Sequence, residues 1–203
     1  MGYQSVAAVI FMKGARKMAE FFPLFRRAKY STVLIIGGNA EADKKAQKLS
    51  QYPFKIVFFK ERVDNIERLL SEVSPDIVIL ADKSLCRKEE LFDICRNRRV
   101  EINTVDDAEN SSFIFPSVVT KGKLSVAIST DGACPAAAAK LREDIESFLP
   151  DETDSIIDQL AQIRGRITSG DRRRIMKELC GAAFSKGMLL DDAEIEKIIK
   201  SKK

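Results

Sequence analysis

Hydrophobic positions in the first half of the chain fall into four short runs separated by charged, helix-like stretches. The runs are "TVLIIGG" (32–38), "FKIVFFK" (54–60), "DIVILAD" (76–82) and "EINTV" (101–105), each rich in β-branched residues or phenylalanine. Between them lie "EADKKAQKLSQ", "NIERLLSEV" with apolar residues at i, i+3 and i+4, and "KEELFDICRNR". Apolar runs that alternate with helical periodicity predict a parallel sheet, since its strands are covered on both faces and joined by helical crossovers. Sheets of this kind bind ligands beyond the carboxyl ends of their strands. The turn at Gly37, residues 60–62, residues 81–83 and the pair Asp106–Asp107 are therefore expected along one edge.

From Phe113 the pattern changes. "SFIFPSVVTKGKLSVAIST" predicts two strands about a Lys121-Gly122 turn, an antiparallel hairpin. "CPAAAAKLREDIESFLP" predicts a helix with Pro135 near its first turn and Pro150 as its stop. Beyond Pro150 the spacing of Ile156, Leu160, Ile163 and Ile167 makes one helical stripe, and "RRRIMKELCGAAF" and "DDAEIEKIIKSKK" predict two more helices. The expected fold class is α/β: a Rossmann-like parallel-sheet domain (18–115), a small α+β hairpin–helix module (116–150) and a helical C-terminal domain (151–203). Residues 1–17 are expected to be an N-terminal extension, with Met18 as an alternative start just before "FFPLF".

Composition narrows the function classes. With 45% hydrophobic and 32% charged residues the chain has the make-up of a soluble globular protein. No window approaches the roughly 18 apolar residues of a spanning helix, so no membrane partner is expected. "VAAVIFM" (6–12) imitates the core of a signal peptide but lacks a basic leader and a small-residue cleavage site. "MGYQSV" departs from the myristoylation pattern at Val6. The cysteines, Cys86, Cys95, Cys134 and Cys180, show no C-x-x-C spacing, which fits reduced thiols in a cytoplasmic chain. Histidine is absent, so proton chemistry falls to carboxylate, tyrosine, lysine, cysteine or water, and no metal-ligand set is expected. The net charge of +4 suits an anionic partner without demanding nucleic acid, and none is expected.

Within this frame "VLIIGGNAEADKKA" approximates a dinucleotide-binding turn. In the G-x-G-x-x-G/A fingerprint the first glycine makes the turn, the second lets backbone approach a pyrophosphate, and the third position lets helix pack on strand. Those places hold Gly37, Asn39 and Ala42. The Asn39 side chain is expected to crowd the pyrophosphate, although asparagine tolerates unusual dihedrals. Glu61 is the candidate acid for a ribose hydroxyl. Asp106 and Asp107 sit at a strand end beside apolar residues, where desolvation would raise a carboxyl pKa toward proton-transfer values; the other reading is that one of them caps a turn. The arginines of "RGRITSGDRRR" read as an anion site or a solvated helix face. Cys134 at a helix N-terminus lacks a histidine to activate it as a nucleophile.

Two stretches coincide, in order, with one family. "FFPLFRRAKYSTVLIIGGNAEADKKA" resembles the opening of the siroheme synthase dehydrogenase/ferrochelatase module, the precorrin-2 dehydrogenase family, where Pro-Leu-Phe precedes a Val-Gly-Gly-Gly-x-x-Ala turn. "NTVDDAENSSFIFPSVVTKGKLSVAISTDGACPAAAAKLREDIESFLP" is similar to its Asn-Val-Val-Asp segment, its Phe-Ile-Phe-Pro run, its Ala-Ile-Ser-Thr-Gly-Gly-x-Ser-Pro turn and its Leu-Arg-x-x-Ile-Glu helix. The chain departs at Asn39, at "ADKS" (81–84), at Asp131 and at Cys134.

The resemblance implies NAD-dependent oxidation of precorrin-2 to sirohydrochlorin, followed in some members by insertion of ferrous iron. It places the catalytic carboxylate at Asp106. It places NAD contacts at Gly37, Gly38, Asn39, Ala40, Glu41, Glu61, Arg62, Ala81, Asp82 and Asn103. Ser129 and Thr130 of the Ser-Thr turn become substrate contacts. Precorrin-2 carries eight carboxylates, so Lys121, Lys123, Lys140 and Arg142 are expected to attract it. The resemblance also implies a homodimer built through the hairpin–helix module, which is too small to bury its faces alone. Two other classes stay open: a non-catalytic NAD- or tetrapyrrole-binding member, and a chelatase without dehydrogenase activity.

Overall fold

Five residues without a charge, Thr32–Ile36, form the strand β1 on which the first domain is built. The computed structural model describes residues 21–167 and 171–201; the extension 1–17 and the start at Met18 lie outside the described residues. β1 is flanked by β2 (Lys55–Phe59) and β3 (Ile77–Leu80), and β4 (Glu101–Thr104) completes a parallel sheet of order β2-β1-β3-β4. The crossover helices are α1 (Ala40–Leu49), α2 (Ile66–Val73) and α3 (Lys88–Arg98). The alternation read from the sequence is thus the alternation of the fold.

Side-chain parity assigns the helices to faces. Leu34, Ile36, Val78, Leu80 and Ile102 point to one side, where they pack with α2 and α3 through Leu69, Leu70, Leu91 and Cys95. Val33, Ile35, Ile77 and Ile79 point to the other, against Ala42 and Leu49 of α1 and against Phe113 and Phe115. Leu34, Ile35 and Ile36 are fully buried, and each such side chain contributes about 1.5–3 kcal/mol. Helix α1 therefore leaves β1 on one face while α3 leaves β3 on the other. Between β1 and β3 the chain directions diverge and open a crevice, the place where open α/β sheets hold ligands.

Ile36 pairs with both Phe59 and Leu80, and Leu80 pairs with Thr104, so the four strands end level. Gly37 N–H donates to Phe59 O at 2.9 Å, Ala81 N–H to Ile36 O at 2.9 Å, and Val105 N–H to Leu80 O at 3.0 Å, which carries the alignment one residue past each strand.

The hairpin consists of β5 (Ser117–Lys121) and β6 (Leu124–Ile128). Its turn is Gly122-Lys123, one residue later than the sequence pattern implied, because Lys121 still pairs with Leu124. Gly122 has φ +56 and a Cβ there would overlap the Asp154 carboxylate, so glycine is required twice over. Helix α4 (Pro135–Phe148) follows, with proline in its first turn. The tail is α5 (Thr153–Arg166), α6 (Arg172–Lys186) and α7 (Asp192–Lys200). Ile156, Leu160, Ile163 and Ile167 are all buried and meet Ile175, Leu179 and Ala183, so the predicted stripe is the core of the helical part. Among the described residues no helix is long and apolar enough to cross a membrane.

Candidate functional site

The crevice begins at Gly37. With φ +152, and with an added Cβ only 3.1 Å from Ala81 Cβ and 3.2 Å from Asp82 N, this position accepts glycine alone without displacement of the third strand's end. Asn39 then caps α1: its Oδ1 accepts the Ala42 N–H at 3.0 Å, and its Nδ2 donates to Ala81 O at 3.0 Å. The side chain thus does not stand free in the turn, as a reading of Asn39 for a missing glycine implies. The side chain is turned onto α1 and β3, and it is committed to two backbone groups there. It satisfies the N–H of the third helical residue and leaves those of Ala40 and Glu41, at the positive end of the helix dipole, to face the crevice. The Glu41 carboxylate is paired with Lys44 at 2.6 Å, and that bond lowers its pKa.

Glu61 and Arg62 lie exposed on the loop after β2. The loop after β3 starts at buried Ala81 and is shaped by Asp82, whose Oδ1 accepts from Ser84 Oγ at 2.6 Å and from Ser84 N at 3.0 Å. These bonds, the hydroxyl one first, hold the Asp82 carboxyl below its ordinary range. Between the two loops is an open pocket of about 500 Å³, lined among others by Arg62, Asp64, Lys83, Ser84, Arg87 and Lys88. The register thus brings the expected contacts after β1, β2 and β3 to one rim.

The fourth strand supplies the acids. It ends at Thr104, and Asp106 sits in the left-handed region with φ +54, so the two aspartates lie on a turn and diverge there. Asp107 points inward: Oδ2 accepts from Lys88 Nζ at 2.5 Å, and Oδ1 accepts from Asn110 Nδ2 and N at 3.1 and 3.2 Å. Held first by the Lys88 bond and then by Asn110, its pKa falls to about 2. Asp106 is exposed, which corrects the expected desolvation; its backbone carbonyl accepts from Lys83 Nζ at 3.3 Å. Of the two aspartates, Asp107 is the one that caps the turn, and Asp106 is the one exposed at its tip.

Asn103 is buried beside them. Its Nδ2 donates to Phe113 O at 3.0 Å, while its Oδ1 is buried with no hydrogen-bond partner. A buried acceptor without a donor costs free energy that a bound donor would offset.

The sequence reading missed Lys45, Lys88 and Phe115 as parts of this edge, and it included Lys83 only as the end of the 81–83 segment. Lys45 stands one helical turn beyond Glu41, so the period of α1 was a usable signal for it. Its Nζ lies 4.3 Å from the Phe115 ring centroid. Burial, reinforced by the Lys48 charge, lowers its pKa, and Glu41 and Asp106 act in the opposite sense. Lys83 is expected on this edge by its place after β3, whereas its contact with Asp106 and the reach of Lys88 to Asp107 arise only through the fold.

The expected substrate contacts of the second module carry structural partners. Lys121 Nζ donates to Leu149 O at 3.1 Å and to Asp151 Oδ1 at 3.3 Å, fastening the end of α4. Lys123 pairs with Asp158, Lys140 with Asp144, and Arg142 with Glu146 and Glu143. Ser129 Oγ accepts from Asp131 N at 3.0 Å and Thr130 Oγ1 from Cys134 N at 3.1 Å, so both hydroxyls shape the turn into α4. Arg164, Arg166, Arg172, Arg173 and Arg174 fall on α5 and α6, in the helical tail and not on the loops that follow the parallel strands. Among the described residues no cluster of three or more histidine, cysteine, aspartate or glutamate side chains could hold a metal ion.

Comparison with known proteins agrees with this geometry. Residues 24–117 match an NAD(P)-binding family model, and residues 121–147 match the family model of the central part of sirohaem biosynthesis proteins. The chain is 29% identical over 184 residues to siroheme synthase 3 of Aeromonas hydrophila subsp. hydrophila, covering 80% of this chain and 39% of that protein. It is 29% identical over 207 aligned residues to the siroheme synthase of Mannheimia succiniciproducens, covering 87% and 41%. The chain thus spans about two fifths of the length of the curated relatives it matches. A solved structure titled "SirC, precorrin-2 dehydrogenase" superposes with a TM-score of 0.60 at 16% identity, over 89% of this chain and 98% of that one, a likeness of fold.

Proposed function

We propose that the chain is a member of the family of the siroheme synthase N-terminal module and the precorrin-2 dehydrogenases, to which its matches point, and that it oxidises precorrin-2 to sirohydrochlorin with NAD, Asp106 serving as the proton acceptor. The observation that carries the reading is the division of labour at the end of β4. Asp107 is locked by Lys88 and Asn110, while Asp106 is held out on the same rim as the Gly37 turn.

The residues fit a dinucleotide. Gly37 forms a cradle that a Cβ would fill, the first N–H groups of α1 face the crevice, and the orphaned Asn103 Oδ1 wants a donor such as a carboxamide. Gly38, Ala40 and Glu41 would border the pyrophosphate. Ala81 and Asp82 would line the adjoining loop, and Glu61, with Arg62 beside it, would meet the adenosine ribose. A carboxylate at that place accepts from a 2′-hydroxyl and repels a 2′-phosphate, which is why we favour NAD over NADP. Bound there, the cofactor supplies a hydride acceptor. Asp106 takes the proton that leaves the tetrapyrrole, and Lys83 on its carbonyl and the Asp107 anchor hold its backbone in place. Exposure suits it to meet a large substrate, whose arrival would supply the desolvation that the free chain lacks.

Val118, Leu141 and Phe148 stay exposed on the hairpin and α4, which supports a homodimer formed through this module. The test of function is anaerobic incubation of precorrin-2 with NAD and, separately, NADP, followed by the absorbance of the reduced nicotinamide, with ferrous iron added afterwards. NAD reduction stoichiometric with sirohydrochlorin is the expected result. No reduction of either cofactor would overturn the reading.

A further inference from the structure

Lys45 is a half-buried cation with no ion pair among the described residues. On its own helix Glu41 and Lys44 satisfy each other, and Lys48 adds a like charge. Its ammonium instead lies over Phe115, whose ring packs edge-on against Phe113 with centroids 5.3 Å apart. From the end of the fourth strand the Asp106 charge reaches it, and Lys83 contacts the backbone of that same aspartate. A cation held partly out of water without a carboxylate costs free energy, and a phenyl face offsets only part of it. An aromatic wall with a cation at its rim and an acid beside it suits a flat, ring-built molecule with carboxylate arms. Lys45 also stands a full helical turn beyond the Ala40 and Glu41 N–H groups, which separates it from a pyrophosphate at the helix start.

Resting on the reading above, we propose that Lys45 is a substrate-binding residue whose ammonium pairs with a peripheral carboxylate of the tetrapyrrole while the macrocycle edge lies against Phe115, setting the reacting position beside Asp106. The experiment is fluorescence titration of the full chain, wild type and variants, with a porphyrin octacarboxylate, which is stable in air and needs no turnover. Lys45→Met and Lys45→Gln should each weaken porphyrin binding by about tenfold or more, the scale of one charged hydrogen bond. Lys45→Arg should recover most of the affinity, and NAD affinity and Tm should be unchanged in all three. Wild-type porphyrin affinity in Lys45→Met and Lys45→Gln would overturn the proposal. So would an equal loss in Lys45→Arg, which would mark a packing role, or a parallel loss of NAD binding, which would place Lys45 at the cofactor. A wild type that binds no porphyrin overturns it as well. A wild type that binds porphyrin through Lys45 yet reduces neither cofactor with precorrin-2 removes the proposed activity and keeps the binding residue.

Discussion

The side chain of Asn39 ties the two strands that border the crevice, donating from Nδ2 to the Ala81 carbonyl at 3.0 Å while its Oδ1 caps α1. A glycine at this place would free the turn and leave both backbone groups without their partner. Asn39→Ala should therefore cost about 1–2 kcal/mol in urea unfolding, one helix cap plus one bond across the crevice. Asn39→Gly, despite restoring the fingerprint glycine, should also lose stability and should not tighten NAD. Tighter NAD binding by Asn39→Gly would mean that the side chain does obstruct the pyrophosphate.

Gly37 is bounded by β3 rather than by its own helix alone. Gly37→Ala brings a Cβ to 3.1 Å from Ala81 Cβ at a φ of +152, so both the backbone and the third strand must give. The expected loss is about 1–3 kcal/mol of stability together with dinucleotide binding, read by thermal unfolding and by NAD titration. A variant of wild-type stability that still binds NAD would show that the turn has slack that the structure does not contain.

The Lys88–Asp107 pair predicts an acid-sensitive turn. Asp107 has its pKa depressed to about 2, against about 3.9 for an unfolded aspartate. A depressed carboxyl contributes stability that is complete above the unfolded value and is lost as pH falls through the folded one. Wild type should therefore lose stability steeply between about pH 4 and pH 2, and Lys88→Met should be less stable at neutral pH and flatter across that window. Parallel pH curves for the two proteins would dissociate the pair from the acid transition.

The sheet was legible because its signals are local: Thr32–Ile36 and Ile77–Leu80 are apolar on both faces, and the helices between them carry their own period and caps. The helical stripe at Ile156, Leu160 and Ile163 was legible for the same reason. What the chain conceals is which polar groups meet across elements. Nothing near Lys88 indicates that it reaches a residue nineteen positions later, and nothing in "GGNAE" shows that Asn39 spends its amide on Ala81. A fingerprint reading compares residue types at fixed spacing, so it registers Asn39 as a missing glycine and cannot see the bond that replaces it. The turn after Thr104 was hidden likewise, since the left-handed conformation of Asp106 follows from contacts made by Asp107, Asn110 and Ser111 around it.

The two aspartates should fail in different ways. Asp106 sits at φ +54, a conformation that asparagine tolerates and alanine resists, so Asp106→Asn is the variant that removes the charge while sparing the backbone. It should lower kcat for precorrin-2 oxidation by about 10²-fold or more, the usual scale for a general acid/base, with Tm and NAD affinity unchanged. Asp107→Asn loses the charge that Lys88 and Asn110 hold, so the turn that presents Asp106 loosens. Its Tm should fall, and its activity should fall less than that of Asp106→Asn and recover in part at low temperature, where the turn reforms. An Asp106→Asn enzyme with full kcat would remove the proton-acceptor role, and an Asp107→Asn enzyme with unaltered Tm would remove the anchoring one. Equal kcat losses at unaltered Tm in both variants would place both carboxylates on the substrate, which the inward direction of Asp107 excludes.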